Sequence, residues 1–252
     1  MIPYRDENET QRTAYVTITI IALNILAWLL IQGAGATYPL AESVCNLGLI
    51  PGELTGALPP GSSFPMDRGL ECLTDPGRQP LNLLTSMFLH GSWLHLLGNM
   101  WFLWVFGNNI EDSMGHGRFV VFYLLGGLAA AFLQVFMNPT SVIPMVGASG
   151  AISGVMGAYL VLYPRVKVYA ILPIFLFITT VALPAWVMLG YWMLLQFLGG
   201  LRSVGDNSGG VASWAHVGGF LAGLALIKFF ARPDYVEAHK GHWRPQRMGW
   251  GQ

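Results

Sequence analysis

The feature that most constrains this chain is a long stretch, 113–231, that contains a single acidic residue, Asp206. Five lysines and arginines interrupt it, at positions 118, 165, 167, 202 and 228. Over the whole chain 10% of the residues are charged, against about 25% in an ordinary soluble domain. A water-soluble core does not account for so long a charge-poor stretch, so the sequence predicts a polytopic membrane protein.

The apolar segments predict an all-α membrane protein, a polytopic bundle of six transmembrane helices. A helix needs about 20 mostly apolar residues to cross a bilayer. Pro173 and Pro184 interrupt the stretch within 168–201, so we place its main span at about 184–199 and expect an interfacial or helical segment before it. Two spans in this stretch, giving seven crossings, are the main alternative. The candidate spans are 14–31, 93–109, 119–137, 150–163, the stretch within 168–201, and 211–231.

Lysine and arginine predict the orientation of these spans because they favour the cytoplasmic side of a membrane. With six spans, ten of them fall on one side and three on the other, so both termini are predicted to be cytoplasmic. Seven spans would separate Arg165 and Lys167 from the basic C-terminal cluster, which argues against that count. The ten lie at positions 5, 12, 118, 165, 167, 228, 232, 240, 244 and 247, and the three at 68, 78 and 202.

This topology divides the chain into a cytoplasmic N-terminal segment (1–13), a membrane domain (14–231) and a cytoplasmic tail (232–252). The first segment lacks the apolar core and cleavage site of a signal peptide, so we expect the first span to be a retained anchor. The tail is polar and basic, and we expect a mobile end that contacts lipid headgroups through Trp243 and Trp250. The formal net charge is zero, which gives no basic field for nucleic acid.

The first loop, 33–92, is extracytoplasmic in this topology and is rich in proline and glycine. Loops of this length usually have a function, and we expect this one to lie on the membrane surface. It contains the two cysteines, Cys45 and Cys72. A disulfide in an oxidising compartment and a pair of free thiols remain alternatives, and the spacing of the cysteines does not indicate a metal site.

A serine among glycines, Gly147-Ala148-Ser149-Gly150, and a later histidine, His216, both fall in apolar segments. Polar side chains in hydrocarbon are costly and are kept when they pack, bond or react. In the predicted topology both lie at similar depth, near the extracytoplasmic ends of their helices. Close helix packing through glycines is the structural alternative for both positions.

His216 is followed at helical spacing by Gly219 and Gly223, which share its face of the helix. These glycines favour close approach of the helix after Ser149, which would bring the imidazole to the hydroxyl. A base within hydrogen-bond reach activates a serine as a nucleophile. Because no aspartate or glutamate lies in a span near His216, the sequence predicts a Ser–His dyad rather than a triad.

Besides Ser149 and His216, three polar residues lie around the start of the second span. They are His90, just before it, and His95 and Asn99, in its first two turns. His95 and Asn99 are four residues apart and share a helix face. Both can donate hydrogen bonds to the oxyanion of a tetrahedral intermediate, and the backbone N–H of Ser149 could add another donor. Metal binding by His90 and His95 is a weaker alternative, since no carboxylate or cysteine lies at ligand spacing.

Together these motifs resemble the rhomboid family of intramembrane serine proteases. The resemblance covers roughly 90–230. The matching segments are His95-x-x-x-Asn99, Glu111-Asp112-x-x-Gly115-x-x-Arg118-Phe119, Gly147-Ala148-Ser149-Gly150 and Ala215-His216-x-x-Gly219-x-x-x-Gly223.

The resemblance implies a six-helix bundle that cleaves transmembrane segments of other membrane proteins near the extracytoplasmic surface, without a cofactor. It implies Ser149 as the nucleophile and His216 as the general base and then the acid. His95 and Asn99 would help to form the oxyanion hole. Position 153 is often an aromatic residue that packs on the histidine in this family, and here it is Ser153. How the imidazole is held is therefore open, and a serine could hydrogen-bond instead.

Two other functions remain alternatives to a protease. One is a proteolytically inactive relative that binds membrane clients, although such relatives typically lose the serine or the histidine. The other is a transporter, although we see neither inverted repeats nor acids within the spans. The compact size favours a bacterial plasma membrane, and the sequence identifies neither the substrate nor the oligomeric state.

Overall fold

The computed structural model describes residues 2–66, 69–75, 77–174, 177–203 and 211–243. Within them the chain is mostly helical. The helices are α1 Tyr15–Leu30, α2 Thr37–Leu47, α3 Pro51–Thr55, α4 Asn82–Thr85, α5 Trp93–Met114, α6 His116–Met137, α7 Ser149–Leu162, α8 Ala185–Ser203, α9 Ser213–Phe230 and α10 Pro233–Trp243. The strands are β1 Ile2–Asp6, β2 Ser63–Pro65, β3 Glu71–Leu73, β4 Lys167–Ile174 and β5 Phe177–Pro184.

Helix α7 lies at the centre of the helical bundle. Every residue from Gly150 to Tyr159 is buried, and α7 packs against α5, α6 and α9. Small residues in α7 let these neighbours approach closely. Helices α1 and α8 lie at the outside and keep many large apolar side chains exposed, such as Leu30 and Leu194.

Two of the described helices, α6 and α9, are long and apolar enough to cross a membrane by length and composition. Their mean hydropathies are 2.2 and 1.3. Helices α1 and α7 are apolar but shorter. The positions of the long helices agree with the predicted spans to within a few residues, apart from α5, which continues to Met114.

The described parts of the segment 168–182, which are 168–174 and 177–182, form strands, so the expectation of a helical segment is wrong. Strands β4 and β5 form an antiparallel hairpin, and β1 adds to it in the order β1-β4-β5, with Ile2 opposite Ile171. The hairpin contains many β-branched and aromatic residues, and Pro173 disfavours a helix there. The partner strand β1 lies at the far end of the sequence, where a short apolar run gives no clear signal.

The C-terminal tail was expected to be mobile, but 233–243 forms helix α10, which docks on α5. The buried His239 makes two hydrogen bonds that hold this helix in place: between Nδ1 and Asp112 Oδ2 at 2.7 Å, and between Nε2 and Asn8 Oδ1 at 2.8 Å. Trp250 and the rest of 244–252 lie outside the described residues.

The described part of the first loop is folded and supports the segment that leads into α7. Leu49 and Met145 exchange both backbone hydrogen bonds, and Gly52 N–H bonds the carbonyl of Ser141 at 2.9 Å. Of the two alternatives for the cysteines, the structure contains the disulfide, Cys45–Cys72. This disulfide joins α2 to β3 and therefore stabilises the loop that borders the cavity described below.

Candidate active site

Ser149 is the first residue of α7, and His216 lies in the first turn of α9. Ser149 follows Gly147, whose φ of +129° is rarely adopted by residues with a side chain. A Cβ at Gly147 would also lie 2.9 Å from the His95 ring. Glycine at this position therefore allows the chain to turn into α7 while it lies against α5.

The two side chains form a hydrogen bond, with 2.8 Å between His216 Nε2 and Ser149 Oγ. This is the distance at which an imidazole can take the proton of a serine hydroxyl. His216 is 9% exposed. The geometry therefore gives a serine beside a base in a largely desolvated setting.

Glycines on the facing helices α7 and α9 make this contact possible. A Cβ at Gly219 would collide with the carbonyl oxygen of Gly150, and one at Gly223 would collide with the carbonyl oxygen of Gly154. The two backbones are thus in contact over a full turn. Any larger residue at these positions would separate the helices and, with them, Ser149 and His216.

Sequence reasoning missed two residues of α8 that contact the histidine. Gln196 Oε1 lies 2.7 Å from His216 Nδ1, and the rings of Trp192 and His216 have centroids 5.6 Å apart with planes at 38°. The available signal was a single amide in an apolar helix with an aromatic residue one turn earlier. Without the tertiary contact, nothing in the sequence linked that amide to His216.

Ser153 does not contact the histidine through a hydrogen bond. Its hydroxyl instead donates to the carbonyl of Ser149, one turn earlier, at 2.7 Å. Such back-bonding is common for serines within apolar helices. The aromatic contact to the imidazole comes from Trp192 of α8 rather than from position 153.

His95 and Asn99 lie beside Gly147, on the face of α5 that looks toward Ser149. Ser92 caps α5 by accepting the backbone N–H of His95 at 3.1 Å. His95 Nδ1 accepts the N–H of Gly91 at 3.4 Å, which leaves Nε2 as the protonated nitrogen. Asn99 is buried, and its Nδ2 has no acceptor among the described residues. Both side chains thus hold N–H groups near the start of α7.

His90 is fully buried, and its ring packs against the ring of His95. Their rings meet edge to face with centroids 5.1 Å apart. Gln32 fixes the backbone of His90 through two hydrogen bonds, of 2.8 and 2.7 Å. Burial, and then the neighbouring His95, lower the pKa of His90 to about 3. His90 is therefore neutral at physiological pH and acts through packing.

A cavity of about 470 Å³ opens onto the two side chains. Ser149, His216 and His95 line it, together with apolar residues of the segment before α7 and Pro51 of the first loop. The volume is within the range of pockets that enclose small ligands.

Comparison with known proteins identifies the family. Residues 77–233 match the model of the rhomboid domain. The chain is 32% identical over 158 residues to presenilin-associated rhomboid-like protein A, mitochondrial, of Danio rerio. The aligned region covers 59% of this chain and 37% of that protein. It is 29% identical over 240 residues to RHOMBOID-like protein 6, mitochondrial, of Arabidopsis thaliana, covering 88% of this chain and 70% of the relative. With rhomboid-like protease 5 of Toxoplasma gondii it shares 32% identity over 167 residues, which is 65% of this chain and 17% of the relative.

These matches correct one expectation and set one limit. A bacterial plasma membrane was expected, but relatives from fish, plant and yeast are named as mitochondrial, which contradicts it. The compact size on which that expectation rested does not discriminate between membranes. The match to the fish relative spans little more than a third of that protein's length. The family model covers more than half of the present chain, which therefore belongs to the rhomboid family.

Proposed function

We propose that this chain is an intramembrane serine endopeptidase that cleaves transmembrane segments of membrane proteins by a Ser149–His216 dyad. The observation that carries the proposal is the 2.8 Å contact between Ser149 Oγ and His216 Nε2, both of which line an open cavity. Membership of the rhomboid family supports it, since proteins of this family act on membrane proteins in a bilayer. The Toxoplasma relative is itself named a protease.

The dyad would act by general base and then general acid catalysis. His216 Nε2 takes the proton from Ser149 Oγ as this oxygen attacks the scissile carbonyl carbon. The C–N bond then breaks, and the imidazolium returns the proton to the leaving amine. Water from the open cavity hydrolyses the acyl-enzyme in the same two steps. No cofactor takes part in this sequence.

The oxyanion of each tetrahedral intermediate would be held by His95, Asn99 and the backbone N–H of Ser149. His95 offers Nε2–H and Asn99 offers Nδ2–H, both beside Gly147. The Ser149 N–H lies in the first turn of α7, where backbone N–H groups point out of the helix and the dipole favours negative charge. Donors held in place by packing need no reorganisation when the charge develops.

For the membrane topology we propose six crossings, by α1, α5, α6, α7, α8 and α9, with both termini on the side that carries most of the lysines and arginines. The excess of lysine and arginine at one end of the bundle supports this arrangement. The membrane domain would span 14–231, with the segment 1–13 and the tail 232–252 on the basic side and the loop 33–92 on the opposite side. Ser149 and His216 would then lie near the membrane surface on the side of this loop, where water can reach them.

Labelling with a fluorophosphonate probe tests the proposal. The purified, detergent-solubilised parent is expected to label and to cleave a model transmembrane substrate, and Ser149→Ala to do neither. Ser153→Ala is the matched control, because it removes a hydroxyl one turn away that bonds only the carbonyl of Ser149. It is expected to label like the parent.

One outcome would overturn the proposal and favour the alternative of an inactive client-binding protein. In that case the parent, folded by its thermal transition, neither labels nor cleaves the substrate. Labelling of Ser149→Ala at the parental rate would likewise exclude Ser149 as the nucleophile.

A further inference from the structure

We propose that Trp192 and Gln196 of α8 are positioning residues that set the tautomer and the ring plane of His216. This inference rests on the proposed function. These two residues take the place of the aromatic residue that the family often has at the position of Ser153. The support comes from a different helix and consists of a ring and an amide one helical turn apart.

The amide oxygen decides the tautomer. Gln196 Oε1 can only accept a hydrogen bond, so His216 Nδ1, at 2.7 Å, must carry the proton. The lone pair of the neutral imidazole is then on Nε2, which faces the hydroxyl of Ser149 at 2.8 Å. The opposite tautomer would present an N–H to Ser149 and could not accept its proton.

The indole decides the plane of the ring. Trp192 lies four residues before Gln196, so the two side chains share one face of α8. It contacts the imidazole at 5.6 Å and also Phe220, one turn after His216, at 6.3 Å between ring centroids. The ring of His216 is thus confined between α8 and the start of α7.

The placement of Gln196 indicates that the contact is specific. The neighbouring residues Leu194, Leu195, Phe197 and Leu198 are all more than 40% exposed and form an apolar surface. An unpaired amide on such a helix is costly in a membrane. Its hydrogen bond to His216 satisfies the amide oxygen and at the same time orients the base.

The same bond would assist the reaction itself. When Nε2 takes the proton of Ser149, the imidazole becomes a cation, and the Nδ1–H···Oε1 bond becomes charge-assisted and stronger. No carboxylate performs this role in the described part of the chain near His216. The amide would therefore take the place of the third member of a triad, without its charge.

Three variants of α8 test the proposal. Gln196→Met keeps the length and volume of the side chain but removes the strong acceptor. Gln196→Glu keeps an acceptor at the same place. Leu194→Met changes the exposed surface of the same helix and is the matched control. Each would be assayed for kcat and KM on a model transmembrane substrate and for the rate of fluorophosphonate labelling.

We expect Gln196→Met to lower kcat and the labelling rate about tenfold to a hundredfold, the range found when a partner that orients a metal-bound histidine is removed. KM should change less than twofold. Gln196→Glu should restore most of the rate, and Leu194→Met should behave like the parent. Trp192→Leu should lower kcat as well, while the smaller change Trp192→Phe should be tolerated.

A spectroscopic measurement separates this inference from the proposed function. ¹⁵N NMR of the His216 imidazole should find the Nδ1–H tautomer in the parent and a mixture of tautomers in Gln196→Met, whether or not the protein cleaves a substrate. An unchanged tautomer in Gln196→Met, or a Gln196→Glu variant as slow as Gln196→Met, would overturn the inference. Absence of labelling in the parent would count against the proposed function alone.

Discussion

The two ends of helix α5 both carry buried polar side chains, but the two sets are bonded very differently. At the start of the helix, Asn99 holds an N–H group without an acceptor among the described residues. At the end, Glu111 accepts hydrogen bonds from the N–H groups of Val16 and Thr17 and from the Thr17 hydroxyl, at 2.7–2.9 Å, and bonds His116 at 2.6 Å. Asn99 and Glu111 are about 18 Å apart along the axis, from the rise of an α-helix.

Asp112, next to Glu111, is bonded just as fully. Its carboxylate accepts the backbone N–H of Gln11 at 2.9 Å, bonds Arg12 at 3.0 Å and bonds His239 at 2.7 Å. It thereby joins the N-terminal segment, α5 and the C-terminal helix α10. Glu111 adds a cap for the N–H groups at the start of α1, which have no acceptor within the helix.

The difference distinguishes groups that hold the fold from groups that are available for chemistry. Buried polar atoms are normally all bonded, so an unbonded donor beside Gly147, two residues before Ser149, calls for an explanation. An acceptor that arrives with the substrate, such as an oxyanion, provides one. Glu111 and Asp112 are bonded to the rest of the fold, whereas the amide of Asn99 lies beside Gly147 without an acceptor among the described residues. Bonding and position together therefore distinguish structural from catalytic candidates.

The largest expected effect is that of a substitution at Asn99, and it tests the difference between the two ends of α5 most directly. We expect Asn99→Ala to lower kcat about a hundredfold to a thousandfold, as for loss of an oxyanion donor, with little change in the thermal transition. Asn109→Ala, ten residues later, removes an amide that bonds Asp6 at 2.9 Å. This variant should lower the thermal transition and leave kcat nearly unchanged. Kinetics and thermal unfolding of both variants provide the check. A tenfold or smaller loss of kcat would reduce Asn99 to structural support.

A second prediction concerns the bonded end of α5. Glu111→Ala leaves several buried donors of α1 without an acceptor, and we expect it to lower the free energy of unfolding by about 3 kcal/mol. The fluorophosphonate labelling rate per folded molecule should not change. Unfolding curves and labelling measured at a temperature where the variant is folded test this. A selective loss of labelling with unchanged stability would contradict the structural assignment.

The smallest effect concerns Asp6, whose Oδ2 accepts hydrogen bonds from Tyr159 at 2.5 Å and from Asn109. Burial raises the pKa of Asp6 from 3.8 to about 6, and the Tyr159 bond only partly opposes this. Because the folded state holds the proton more tightly than the unfolded state, this group's contribution to stability is complete below about pH 4. It is lost as the pH rises through 6, by at most about 3 kcal/mol.

Asp6→Asn should remove this pH dependence while it keeps an acceptor for Tyr159. The difference in unfolding free energy between variant and parent, measured from pH 4 to pH 8, should move in favour of the variant and then level off. A difference that stays constant over this range would show that Asp6 does not titrate there.

The helical part of the fold was predictable because its signal is local. Apolar runs of the right length indicated the six long helices, and glycines at helical spacing indicated the contact between α7 and α9. The sheet was not predictable, because β1 and β4 are separated by most of the chain and neither strand shows a clear alternation of apolar and polar residues. The docking of α10 depends on one buried histidine, His239, whose partners come from α5 and from the N-terminal segment.

For the candidate site, the sequence by itself determined the candidate groups: a serine and a histidine in apolar segments as the proposed dyad, with His95 and Asn99 as the proposed hydrogen-bond donors. Their chemistry depends on residue type and spacing along a helix, which the sequence contains. Only the tertiary structure decided what holds the imidazole, because Gln196 and Trp192 lie on a helix that meets His216 through packing alone. It also decided which polar groups are bonded and which are left free, since bonding depends on partners that are distant in sequence.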